Sequence, residues 1–484
     1  MVGNVGVPTA SRHGVQFIQD AAGVLPYSAP MPDDLRPGPV PEIPHHSAPG
    51  GETAAGSRSG EGGASDEQRN AADSSTEPFA LDSSDITFEA LDLDPYPVFA
   101  ALQARESVSW MPRLGMWFVT HRRDVLAVLR DTTTYSTVSD HSLIGDTFGS
   151  QMLSSESALH RRYKSHCNGP FNATAVRRQL EVAIGPHIES LLARFPRSGS
   201  CDLKRMFATP LSVVTICSTL GVPAELSGRI IAWYQEFRAA LSNFRRDPVV
   251  RERGHAAAAD FRRTLRPLLA TFDLDASDKS LLGHLARPHA DRLSDEEILS
   301  NALIVLFGGI ETTESAILNC AWSLLAHPAQ LAQVRDEPAL LLPNAVDEGM
   351  RWESAVQSCT RFATTDAVIG SARVRAGDTV QCMLGAANRD PAHFDEPHRY
   401  DARRANAADH LSFGSGVHFC LGTAMARGEI TLALTHLLKD FPELTLADPI
   451  ASAPRGFEFR APASLVVELR GASIHSRHRG EHLA

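Results

Sequence analysis

Lysine is scarce in this chain. Only four lysines stand among its 46 basic residues, and no basic stripe interleaved with aromatics occurs, which excludes nucleic acid as an expected partner. Cysteine is sparse too: Cys167, Cys201, Cys217, Cys320, Cys359, Cys382 and Cys420 form no CxxC pair. An odd, scattered set argues against a disulfide framework and against zinc or iron–sulfur sites, so a reducing cytoplasm is expected. Long apolar runs are missing as well, for the longest, "ALIVLFGGI" at 302–310, stops at Glu311. No membrane span is expected, nor a signal peptide, since the N-terminus has no basic region followed by an apolar stretch. The first 78 residues hold just two aromatics, Phe17 and Tyr27, while ten acids and four arginines give them six of the eleven net negative charges. Crowded with Pro, Gly and Ser, this segment cannot bury enough apolar surface to offset its ordering entropy. Residues 1–78 are therefore expected to be disordered, apart from a short amphipathic piece near "VQFIQDAAGVL".

What is present begins to look folded at about Phe79. From "DPYPVFAALQARESVSWMPRLGMWFV" onward the pattern is helix, then two short strands turning at Leu114-Gly115, then helix. Helical periodicity dominates to about Phe441, with strand-like pieces at "VIGSARVRAGDTVQCML" and near "SLVVELR". No internal repeat is found. The expectation is a mainly α domain with small β-sheets over residues 79–473, followed by a flexible tail at 474–484. At about 400 residues it exceeds the usual size of one side-chain core, so it is expected to be organised around something else.

One helix carries its own signals. "LSDEEILSNALIVLFGGIETTESAILNCAWSLLAHP" opens with a capping box, Ser294 and Glu297, and stops at His327-Pro328. About 32 residues at 1.5 Å each make it roughly 48 Å long, enough to cross the domain. Gly308 and Gly309 sit in its middle, each costing about 1 kcal/mol relative to alanine. Glu311, Thr312 and Thr313 follow. Singly, these residues read as helix packing, back-bonding hydroxyls and a solvated acid. Together they predict a loosened turn with a small polar site facing a cavity.

"FGSGVHFCLGTAMAR" (413–427) carries the chemistry. Phe413, Gly416, His418, Cys420 and Gly422 fit FxxGxHxCxG, with a helix starting just after the cysteine. A persistent thiolate needs amides aimed at sulfur, a helix N-terminus behind it and exclusion of water. Gly414, Gly416 and Gly422 let the backbone curl to supply those amides, and Phe413 can shield the sulfur. The arrangement describes an axial thiolate ligand to haem iron, whereas an isolated cysteine would read as an inert buried thiol.

On these residues the chain resembles the cytochrome P450 haem-thiolate enzymes from about Asp94 to its end. The resemblance implies the cytochrome P450 fold, a single haem-enclosing domain, and haem b (iron protoporphyrin IX) held by Cys420. "EGMR" resembles the family's ExxR element, so Glu348 and Arg351 are expected to form a buried pair, joined from "YDARR" by Arg404, with Arg403 the rival. Arg361 and His418 match residues that meet the haem propionates. His160 in "LHRRYKSH" matches the family histidine, while Lys164 stands where arginine is more usual, keeping the charge but not the bidentate fork. "GGIETT" is similar to the oxygen-activation segment, which makes Thr312 the alcohol beside O2 and Glu311 the acid of the proton relay.

The function implied is monooxygenation of a mid-sized apolar molecule of terpenoid, steroid or polyketide type, using O2 and two electrons. The chain shows neither a flavin-reductase signature nor clustered ferredoxin cysteines, so an external ferredoxin and ferredoxin reductase are expected. Peroxide-driven or oxidative-coupling chemistry on the same fold is the alternative, and a non-catalytic haem sensor a third reading. Glu311 and Thr312 favour the first, because peroxide-using relatives typically lack that pair. "TTTYSTVSDHSLIGDTFGSQML" and "IIAWYQEFRAALSNFRRD" occupy positions that usually shape the substrate pocket.

Overall fold

Two alternating apolar runs either side of Leu114-Gly115 form β1 (Val108–Met111) and β2 (Met116–Val119), with Gly115 at φ +65° in the turn. Trp110 pairs with Trp117 across this hairpin, their rings 5.3 Å apart. The computed structural model describes residues 83–272 and 279–469. The expected disorder of residues 1–78, the amphipathic piece within them and the tail at 474–484 lie outside the described residues.

The remaining strands are β3 (Tyr135–Ser136), β4 (Gly199–Asp202), β5 (Ser358–Ala363), β6 (Ala367–Ile369), β7 (Ala372–Val374), β8 (Thr379–Met383), β9 (Thr445–Leu446) and β10 (Val466–Leu469). One sheet runs β1-β2-β8-β5-β3, with β2 and β8 parallel and its other pairs antiparallel. It sets Arg361 opposite Val380 and Cys359 opposite Cys382. A three-stranded sheet, β4-β10-β9, and the β6-β7 hairpin complete the β-structure.

Seven helices build or support the site: α1 (Ser157–Cys167), α2 (Thr209–Leu220), α3 (Ser227–Leu241), α4 (Pro248–Phe272), α5 (Asp295–Ala326), α6 (Pro338–Trp352) and α7 (Thr423–Asp440). Helix α5 begins at the capping box, where the Glu297 amide donates to Ser294 Oγ and the Ser294 amide to Glu297 Oε2, and its C-cap is His327. Among the described residues it is the one helix long and apolar enough to cross a membrane, but 78% of its apolar stretch is buried inside the protein. It is the central core helix.

The expected loosened turn is absent, for α5 is α-helical throughout. The two glycines divide the work instead. A Cβ on Gly309 would lie 2.4 Å from Ile216 Cδ1, so this glycine lets α2 pack closely; Gly308 has nothing within 4 Å and opens on a cavity. One apolar cluster includes Phe307 and Ile310 of α5 with residues of α3 and α4, and another takes in Ala316 and Ile317 with residues of α6 and α7. Residues 311–315 fall at the seam between the two, which is where the cavity lies.

Candidate active site

The cysteine loop is shaped by backbone geometry that only glycine adopts freely. Gly414 and Gly416 have φ of +70° and +75°, and a Cβ on Gly416 would stand 2.6 Å from the Leu129 carbonyl oxygen. The curl brings the Cys420 amide 3.0 Å from the Phe413 oxygen and leaves Gly422 as N-cap of α7. Burial pushes the Cys420 thiol up, while the Gly422 amide, the Thr423 hydroxyl and the Lys164 ammonium act the other way. Cys420 is deep in the protein yet keeps accessible surface, because it opens on an internal cavity of about 680 Å³. That volume is in the range of small-molecule sites.

A lysine and two histidines gather around the loop in different roles. Lys164 donates to the Val417 and Phe419 carbonyls at 2.6 and 2.7 Å, so two of its three N–H groups tie α1 to the cysteine loop. His160 meets the Met152 and Val417 carbonyls through its two ring nitrogens, at 2.8 and 3.0 Å. His418 packs on His160, ring centroids 4.3 Å apart, and its Nε2 lies 3.1 Å from Glu156 Oε2. Burial alone would raise Glu156, but hydrogen bonds from His418 and from Thr137 outweigh it and pull its carboxyl down to about 2. Among the described residues, two buried nitrogens on the cavity lining have no partner: His418 Nδ1 and Arg361 Nε.

Helix α5 supplies Gly308, Gly309 and Thr312 to the cavity wall. The Thr312 hydroxyl donates to the Gly308 carbonyl at 2.6 Å. Glu311 does not line the cavity, contrary to the expectation of one shared polar site. Adjacent helical residues point about 100° apart, and Glu311 turns toward α3, where the Tyr234 hydroxyl donates to Oε2 at 2.5 Å and Arg238 Nε to Oε1 at 3.1 Å. Its side chain is 2% exposed.

Behind the cavity, Glu348 and Arg351 on α6 are fully buried. Arg351 Nε and Nη2 donate to the two Glu348 oxygens at 2.6 and 2.8 Å, and Nη1 reaches the Asn388 and Pro397 carbonyls. Arg404 completes the cluster, with Nε 3.1 Å from Glu348 Oε1. Arg403 pairs instead with Glu337 on the surface.

Several residues of this region have no local sequence signal because their partners are distant in the chain. Glu429 on α7 accepts from Thr215 of α2 at 3.0 Å, and burial raises its carboxyl to about 8. Glu458 in the turn before β10 is raised by burial to about 7. Tyr234 and Arg238 did carry a signal, since a spacing of four puts both on one face of α3. Both segments expected to shape the pocket do reach it, through Thr137, Ile144 and Leu153 from the first and Leu241 and Phe244 around the second.

Comparison with known proteins agrees with this geometry. The cytochrome P450 family model matches residues 249–450. The 6-deoxyerythronolide B hydroxylase of Saccharopolyspora erythraea is 32% identical over 386 residues, covering 75% of this chain and 92% of that one. The vitamin D(3) 25-hydroxylase of Pseudonocardia autotrophica is 33% identical over 73% of this chain and 88% of its own. A solved P450 in complex with a hexadecenoyl-ligated acyl carrier protein superposes with a TM-score of 0.72 at 29% identity, covering 79% of this chain and 99% of that chain. The chain belongs to the cytochrome P450 family, and it is a haem-dependent monooxygenase with the P450 fold.

The residues present fit the family's haem. A sulfur donor with the Gly422 amide and the Lys164 ammonium acting on it opens on a cavity that, among the described residues, also carries two unpartnered buried nitrogens, Arg361 Nε and His418 Nδ1. Burial disfavours the ionised thiol unless a cation stands at the sulfur, and an iron centre supplies one. The orphaned Arg361 Nε–H is a donor that a propionate carboxylate takes, and His418 Nδ1 becomes one when its ring is protonated.

Proposed function

We propose that this enzyme hydroxylates or otherwise oxidises a mid-sized apolar molecule of terpenoid, steroid or polyketide type, drawing two electrons from an external ferredoxin and its reductase. One observation carries the reading: Cys420 and Thr312 line the same largely apolar cavity. The names of the hydroxylases that resemble the chain support the substrate class. All seven cysteines are unpaired, in keeping with a reducing cytoplasm.

Bound haem supplies the oxidation itself, with O2 and two electrons. In this reading Cys420 is the iron ligand, and Phe413, Gly414 and Gly422 shape the loop that presents it. Arg361 and His418 would hold the propionates, while His160 and Lys164 brace the loop through its carbonyls. Thr312 would hold a proton donor at the cavity wall, and Glu311 would resupply it from the Tyr234–Arg238 side. To do so, the Glu311 carboxylate must leave its two donors and turn toward the cavity. Glu348, Arg351 and Arg404 hold the chain segments behind the loop in place.

The test is the spectrum of the reduced, haem-loaded protein under carbon monoxide. A thiolate ligand gives a strongly red-shifted haem band, which Cys420→Ser must abolish. The same band in that variant would overturn the assignment of Cys420. Turnover that needs peroxide and ignores ferredoxin would move the enzyme to the alternative class.

A further inference from the structure

Among the described residues, three acids on the cavity wall are not used by the reading above: Asp378, Glu429 and Glu458. Glu458 lies in the turn before β10, next to Phe459, and its main-chain carbonyl accepts from the Gln357 amide at 2.9 Å. Its side chain is deep in the protein but keeps accessible surface, because it lines the cavity.

Its two carboxyl oxygens are treated differently. Oε2 accepts from the Ser358 hydroxyl and, at 3.0 Å, from Gln381 Nε2. Gln381 is itself fixed by β5, since its Nε2 also reaches Ser358 Oγ at 2.5 Å and its Oε1 accepts from Thr360 at 2.8 Å. Oε1 has no hydrogen-bond partner, and Glu458 has no ion pair, among the described residues. The carboxyl is thus anchored by one oxygen and offers the other to the cavity. Phe459, the next residue in the chain, meets Phe307 edge-on at 5.2 Å and packs against the apolar cluster that includes Ile304.

An ionised acid buried without a cation is costly, so burial raises this carboxyl and favours its protonated form until a partner charge arrives. Ser358, Gln381 and Thr360 satisfy one another and supply no charge. A proton neutralises the carboxyl while the cavity is empty, and a cation entering the cavity could take that proton's place. We propose that Glu458 is a specificity-determining residue, and that the preferred substrate carries a basic amine that docks on Oε1 while its apolar body lies against Phe307 and Phe459. This deepens the proposed function and rests on its reading of the cavity as the haem and substrate chamber.

The probes are two decanoyl amides differing in one atom, made from 3-(dimethylamino)propylamine and from its carbon isostere 4-methylpentylamine. Each is titrated into the ferric haem-loaded enzyme, with optical shift and calorimetric Kd as readouts. A hydrogen bond to a charged group contributes ~1.5–3 kcal/mol, so the amine is expected to bind roughly 10- to 100-fold more tightly, with a blue shift of the haem band. Glu458→Gln keeps an acceptor for Ser358 and Gln381. It is expected to reduce that preference to within about threefold, leaving the affinity for the neutral amide unchanged. Equal affinities in the unaltered enzyme, a preference that survives Glu458→Gln, or a red shift from amine binding directly to iron would each overturn the proposal. So would a haem band that neither amide moves, while the enzyme's haem-thiolate reading stood. Absence of any haem band in cofactor-supplemented protein would instead overturn the proposed function on which this one rests.

Discussion

Glu311 and Thr312 are consecutive on α5 yet belong to different surroundings, Thr312 on the cavity wall and Glu311 held by Tyr234 and Arg238 of α3. Proton supply in the proposed reaction therefore depends on how firmly α3 grips a carboxylate that must turn. Thr312→Ala is expected to leave haem content unchanged and divert electrons to peroxide, lowering product formed per electron several-fold. Unchanged coupling would remove Thr312 from the relay. Tyr234→Phe removes one donor to a charged acceptor, an interaction of ~1.5–3 kcal/mol, and is expected to speed a proton-limited step by up to roughly tenfold. A reduced solvent isotope effect on turnover, with substrate affinity unaltered, is the measurement that checks it.

The two neighbouring arginines of "YDARR" give a sharper contrast. Arg404 reaches fully buried Glu348, whereas Arg403 pairs with exposed Glu337. Removing one partner of a buried ionic cluster costs ~3–5 kcal/mol, because charge is left uncompensated. Thermal unfolding of Arg404→Ala should show a loss of that order and diminished haem retention. Arg403→Ala should stay within about 0.5 kcal/mol of the parent. Equal losses in the two variants would contradict the assignment.

The sequence made some of this legible and hid the rest for physical reasons. Helix α5 could be bounded because its capping box and terminal proline are local signals, and the Cys420 loop because its glycines are demanded by local backbone geometry. The direction of Glu311 could not be read in the same way. A carboxylate beside a threonine on an apolar helix announces polarity, but which neighbour takes it depends on α3, some 75 residues earlier in the chain. Glu156, Glu429 and Glu458 were hidden for the same reason, since their partners His418, Thr215 and Gln381 meet them only after folding. The expected loosening at Gly308-Gly309 failed because the glycines serve side-chain space, against Ile216 and the cavity, with no break in the helix.

Glu429 gives the fold a pH dependence of known sign. Its carboxyl is raised from 4.5 to about 8 by burial, with Thr215 as its hydrogen-bond donor. The folded protein keeps this proton across a range where the unfolded chain releases it. Stability from this group is therefore complete below about pH 4.5 and declines as pH rises toward 8, by on the order of 4 kcal/mol. Glu429→Gln keeps an acceptor for Thr215 and has no charge to gain. Its melting temperature should exceed the parent's at pH 8 and match it near pH 5. A gain that does not change with pH would show that packing, and not ionisation, is responsible.

The glycines of the cysteine loop should differ in tolerance by position, and the difference tests how the loop holds its shape. Gly416 has φ +75° and would place a Cβ 2.6 Å from the Leu129 carbonyl oxygen, a backbone atom that cannot swing aside. A left-handed alanine costs ~1–2 kcal/mol before that clash is counted. Gly422 has φ −85°, and its Cβ would have only Cys420 Sγ nearby, at 3.9 Å. Gly416→Ala is accordingly expected to disturb the seat of Cys420, seen as lower haem occupancy and loss of the red-shifted carbon monoxide band in part of the population. Gly422→Ala should retain that band, because its amide can still point at the sulfur from the first turn of α7. If Gly422→Ala proved the more damaging, close approach of the haem to Gly422 would govern the loop, and backbone conformation would take second place.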